Sequence, residues 1–92
     1  MDFADPKNTA VFTCASILDG SETIRLVSRD EEDGAWQFLP FSGSSIKSAR
    51  VVSLGAIIEI DRSVLEVADL TLGWQASRTD LTDKWKRERP KR

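Results

Sequence analysis

The stretch AVFTCASILDGSETIRLVSR, Ala10 to Arg29, holds two runs rich in β-branched and apolar residues on either side of Asp19-Gly20. Such runs favour extended backbone, and an Asp-Gly pair between them is a turn signal. The pattern predicts a hairpin of Ala10–Ile17 with Thr23–Arg29. In the second run Ile24, Leu26 and Ser28 alternate with Arg25, Val27 and Arg29, the period of a half-buried strand. Ala35 to Leu39 reads as a third strand with Trp36 and Phe38 on one face, so the three runs predict an antiparallel meander.

Farther along, PFSGSSIKS from Pro40 to Ser48 breaks every periodicity and reads as a loop. Arg50-Val51-Val52 is a short extended piece. Ser53 is suited to cap a helix carrying Leu54, Ile57 and Ile58, and the SVLE of Ser63 to Glu66 has the spacing of a capping box ahead of Val64, Val67 and Ala68. Within Thr71 to Thr79, past the break at Gly73, Trp74, Ala76 and Arg78 alternate with Gln75 and Ser77 like a further strand. Helices grouped within residues 53–70 and strands on both sides predict an α+β fold: an antiparallel sheet with one helical segment packed on one face. Residues 1–92 read as one small domain, with 1–9 and 86–92 as flexible tails.

Between the second and third strands stand Asp30, Glu31, Glu32 and Asp33, followed by Gly34. Four carboxylates suggest acid–base chemistry or a hard cation, but the spacing opposes calcium. With Gly34 at the sixth place of an EF-hand loop, Arg29 would be the first ligand and Pro40 the closing one. Four adjacent acids at a hairpin tip are solvated, which leaves no means of raising one pKa. No metal and no cofactor is expected.

The chain has no histidine and no tyrosine, which removes the commonest general base and every triad built on imidazole. Cys14, the only cysteine, sits within an apolar run and is expected to be buried and inert. Trp36 and Trp74 are expected in the core. Trp85, between Lys84 and Lys86, is a candidate binding residue, together with Ser42, Ser44, Ser45 and Lys47 of the serine-rich loop, whose composition suits an anion.

Lys84 to Arg92 carries six basic residues against Glu88 alone, within a chain of net charge −2. A basic arm for nucleic acid would need a basic face, which the acidic remainder does not supply, so nucleic acid is not expected as a partner. No apolar run approaches the roughly 20 residues of a membrane span, and the acidic MDFADPKNT lacks the pattern of a secretory signal, so a cytoplasmic setting is expected.

RDEEDGAWQFL and VVSLGAIIEIDRSVLEVADLTLGWQASR carry a resemblance. Asp30, Gly34, Trp36, Gln37 and Phe38 match a D-x-G-x-W-Q-F segment, with Asp30 four places before Gly34 where the pattern has two, and Leu70, Gly73 and Trp74 form an L-x-x-G-W segment. With Leu54, Leu65, Ala68 and Asp69 they resemble a group of small uncharacterised bacterial proteins. More distantly, the element order is similar to bacterial immunity-protein-like domains of unknown function. The serine-rich loop, and Arg62 where a proline is common, depart from that pattern. The resemblance implies a bacterial protein and carries over no biochemical role, while the lack of site chemistry in the residues points away from an enzyme. A non-enzymatic interaction module, immunity-like or regulatory, is the function expected, its partner another protein or a second copy. The alternative is a small-ligand or anion-binding regulatory domain using Ser42 to Lys47.

Overall fold

The computed structural model describes residues 2–40, 49–80 and 82–89. The fold is α+β, built on a six-stranded sheet. Its strands are β1 (Ala10–Cys14), β2 (Leu26–Arg29), β3 (Trp36–Leu39), β4 (Ala49–Ser53), β5 (Gln75–Ser77) and β6 (Lys86–Glu88), in the spatial order β4-β1-β3-β2-β5-β6. Helix α1 (Ala15–Leu18), helix α2 (Leu54–Ile60) and a 3₁₀ helix (Arg62–Val67) complete the order.

The hairpin expected of Ala10–Ile17 with Thr23–Arg29 is not formed. β1 lies instead between β4, which it pairs antiparallel, and β3, which it pairs parallel with Phe12 opposite Gln37. The sheet is therefore mixed, not antiparallel throughout. The physical reason lies after Cys14: Ala15–Leu18 coils into a helical turn, closed by the Asp19 N–H on the Ala15 carbonyl. Gly20, at φ 82, then leads out of α1 and returns no strand to β1. The β2–β3 part of the meander is present, with Val27 opposite Phe38 and Arg29 opposite Trp36. β5 adds antiparallel to β2, and β6 to β5.

One sheet face bears the core. Val11, Val27, Trp36, Phe38 and Ala76 pack there with Leu54, Ile57, Ile58, Val64 and Val67 from the helical segment, all of them buried. Ser53 caps α2 as expected, its hydroxyl accepting from the Ala56 N–H. The capping box at Ser63 is not formed. Asp61 caps the 3₁₀ helix and accepts from both the N–H and the hydroxyl of Ser63, because α2 ends one residue earlier and leaves the aspartate at the junction.

Both expected tails contain ordered contacts. Phe3 is buried and meets Trp36 edge-on at 4.9 Å, while the Lys7 and Thr9 carbonyls accept from Gly55 and Leu54. Lys86–Glu88 form β6 although all three side chains are exposed. An edge strand paired on one side needs no apolar residue to hold its register, so composition alone conceals it.

Candidate interaction surface

The tip between β2 and β3 is a turn built by its own acids. The Asp30 carboxylate accepts from the Glu32 N–H at 2.7 Å and the Asp33 N–H at 3.3 Å, and the Asp33 carboxylate accepts from Ala35. Gly34 closes the turn at φ 72, a conformation that favours glycine. Asp30 to Asp33 are exposed; Asp30 and Asp33 shape the hairpin, while Glu31 lies 3.5 Å from the Arg89 guanidinium.

Trp85 is half-buried and engaged from within. Its Nε1–H donates to the Ser63 carbonyl at 3.2 Å, and the Arg78 guanidinium lies 4.0 Å over its ring. Arg78, itself buried, donates to the Ile24 carbonyl, to the Ser63 hydroxyl and to Asp61, the last at 2.6 Å. This knot ties β5 to the junction of α2 and the 3₁₀ helix. Trp85 therefore works as a clamp in the fold. The other expected binding residues, Ser42, Ser44, Ser45 and Lys47, lie outside the described residues. Cys14 is buried, its Sγ 3.2 Å from the Ser16 hydroxyl. Trp36 is 1% exposed and stacks on Phe38, whereas Trp74 is half-buried at the margin of the core.

The surface that the elements do bring together is the sheet face opposite the helices. The registers align one outward row across all six strands: Val51, Phe12, Gln37, Ser28, Gln75 and Glu88. Strand alternation turns these side chains away from the core because their neighbours Val52, Val11, Phe38, Val27 and Ala76 face it. The row is graded. At the β4 end Val51 is 62% and Phe12 42% exposed, while at the β6 end the Gln75 amide donates to Glu88 at 2.9 Å. Two open depressions adjoin the polar half, one of about 210 Å³ beside Ser28, Gln37 and Trp74, the other of about 270 Å³ beside Leu26, Gln75 and Ser77.

The two ends of the row also differ in how their strands are held. Arg87 of β6 reaches back across the sheet to the Glu66 carbonyl and the Asp69 carboxylate, and the hydrogen bond from Arg87 holds the Asp69 carboxyl below its ordinary pKa. Gly73, at φ 81, lets the chain pass close to Glu31 on its way into β5, where an added Cβ would come within 3.2 Å of the glutamate side chain. No comparable tie links β4 to another element on the side away from β1 among the described residues.

Sequence reasoning missed this surface because its row exists only once the strand order is known. Val51 and Phe12 lie some forty positions apart, and the alternation within each run says nothing of which runs stand side by side.

No family model matches the chain, and neither a curated protein nor a solved structure matches it. Among the described residues no helix is long and apolar enough to cross a membrane.

Proposed function

We propose that the chain is a non-enzymatic protein-interaction module, immunity-like or regulatory in kind, which engages its partner through the outward sheet face and the β4 edge. The observation that carries this reading is the graded row: two large exposed apolar side chains, Val51 and Phe12, stand side by side at a sheet edge that no other described element covers. Apolar side chains exposed together at a strand edge are a recurrent means of recruiting a protein segment, whose backbone satisfies the edge while its side chains cover the patch. The composition is in keeping with this role, since a chain without histidine or tyrosine lacks the usual acid–base groups.

The test is capture from a lysate by the immobilised chain and by a Phe12→Lys/Val51→Lys variant. A stoichiometric protein retained by the parent chain and lost by the variant is the expected result. A chain that retains nothing, and whose melting temperature rises instead with a small anionic ligand, would favour the ligand-binding alternative.

A further inference from the structure

The hydrogen-bond phase of β4 determines which of its backbone groups are free. Leu54 N–H donates to the Thr9 carbonyl at 2.9 Å, and these two residues continue the β1–β4 register in which Ala10 faces Ser53. In an antiparallel ladder hydrogen-bonded and non-bonded pairs alternate. The bonded pairs are thus Val11 with Val52 and Thr13 with Arg50, and the intervening residues Ala49, Val51 and Ser53 point their N–H and C=O groups away from β1. The Val51 side chain is 62% exposed on the same strand. At the same edge the Arg50 guanidinium folds back to donate to the Ala49 carbonyl at 3.0 Å.

Resting on the interaction-module reading, we infer that the partner is a second copy of this chain, docked by antiparallel pairing of β4 with β4 about a two-fold axis at Val51. Three features of the strand fit a copy of itself. First, the phase makes Val51 a residue with both backbone groups outward, so two copies exchange a pair of N–H···O=C bonds at the axis. Second, Arg50 comes directly opposite Val52 of the second copy and Ala49 opposite Ser53, so no two like charges are directly paired and the two Arg50 residues are only diagonal neighbours. The same operation at the other edge would set Arg87 against Arg87, with Arg87 already committed to Asp69. Third, the outward row becomes continuous through the axis, Phe12–Val51–Val51–Phe12, which shields both valines. The Ser53 N–H of each copy then replaces the Arg50 guanidinium on the other's Ala49 carbonyl. An isologous contact of this kind closes on itself and consumes the edge, which stops further addition.

Sedimentation equilibrium over a concentration range of about 1 μM to 1 mM, the span of weak to moderate association, tests it. The mass should rise from 10.3 kDa toward twice that value. Val51→Pro removes an outward N–H that the β1 ladder does not use, and so should remain at the monomer mass with cooperative unfolding intact. Val51→Lys, at an exposed side chain that the fold tolerates, brings two ammonium groups together at the axis and should do the same even if the proline variant fails to fold. A parent chain that stays at 10.3 kDa throughout, or a dimer that survives both substitutions, overturns the inference. In the first case, capture of a different protein that Val51→Lys abolishes would leave the interaction reading standing without self-pairing, whereas capture of nothing would bring both down.

Discussion

At one edge of the sheet β6 presents Lys86, Arg87 and Glu88, three exposed charged residues, and Arg87 is tied to Asp69 and the Glu66 carbonyl of the helical layer. At the other edge β4 presents Ala49 to Ser53, with a single charge, an exposed Val51 and half its backbone groups pointing outward. Charged residues on a short edge strand discourage pairing with other chains, whereas a longer, nearly uncharged edge invites it. Among the described residues, then, one edge is guarded by charge and the other is left uncovered. Both edge strands are exposed, and what sets β4 apart is that its exposed side chains are nearly uncharged.

The largest expected effect concerns the centre from which both edges extend. Trp36 is 1% exposed, packed edge-on against Phe3 and under the Arg29 guanidinium at 5.1 Å. Trp36→Ala should cost roughly 3–5 kcal/mol, the range for deleting a buried large aromatic, measured by denaturant unfolding. A loss below about 1 kcal/mol, the size of a surface substitution, would remove the rigid centre that the comparison presumes.

Next comes the knot on the β6 side. Arg78→Met keeps much of the side chain's bulk but leaves the Asp61 carboxylate, 17% exposed, without its cation and the Trp85 ring without its stack. A cost of about 3 kcal/mol is expected, since removing one partner of a largely buried pair strands the other charge. The guarded edge should be weakened with it, read as faster amide exchange in β6 than in β4.

Ending the chain before Lys86 should be milder. It removes three ladder positions and the Arg87–Asp69 pair, both at the surface. Cooperative unfolding should persist with stability lower by roughly 1–2 kcal/mol, a few edge hydrogen bonds at about 1 kcal/mol or less each. A non-cooperative transition would show that β6 supports the core and does more than seal an edge.

How far these features could be read from the chain alone varies with their range. The β2–β3 hairpin, the burial of Trp36 and Phe38, the Ser53 cap and the strand after Gly73 follow from local alternation and capping chemistry, and all are present. The partner of β1 is different, because AVFTC alternates identically whether it pairs with its neighbour in sequence or with β3 and β4. What decides is the helical turn at Ala15–Leu18, whose apolar Ile17 enters the core. β6 is hidden for the opposite reason: with no apolar residue it gives no signal, and only its pairing with Gln75, Ala76 and Ser77 reveals its place. Of the expected binding residues only Trp85 falls within the described chain, and its surroundings could not be foreseen, since Arg78 and Ser63 reach it from distant segments.

The smallest expected effect is on pH dependence. The Asp69 carboxyl is held below its ordinary pKa by the hydrogen bond from Arg87. A lowered folded-state pKa contributes stability that is present above the unfolded value, about 3.9, and is lost as pH falls through the folded value. Asp69→Asn should therefore flatten the fall in melting temperature below about pH 4, slightly because the pair is exposed, and leave the curve near neutrality with only a small uniform offset. A steeper acid limb in the variant would contradict the tie assigned to β6.

The asymmetry of the two edges is tested most directly by amide hydrogen exchange at two adjacent residues of β4. Val52 N–H lies within the β1 ladder and should exchange slowly at every protein concentration. Val51 N–H points away from it and should exchange fast in dilute protein, then become protected as concentration rises and a second β4 covers it. Protection of Val51 that does not change with concentration, or a Val51 amide that stays fast in concentrated protein, would contradict an edge left open for a second copy.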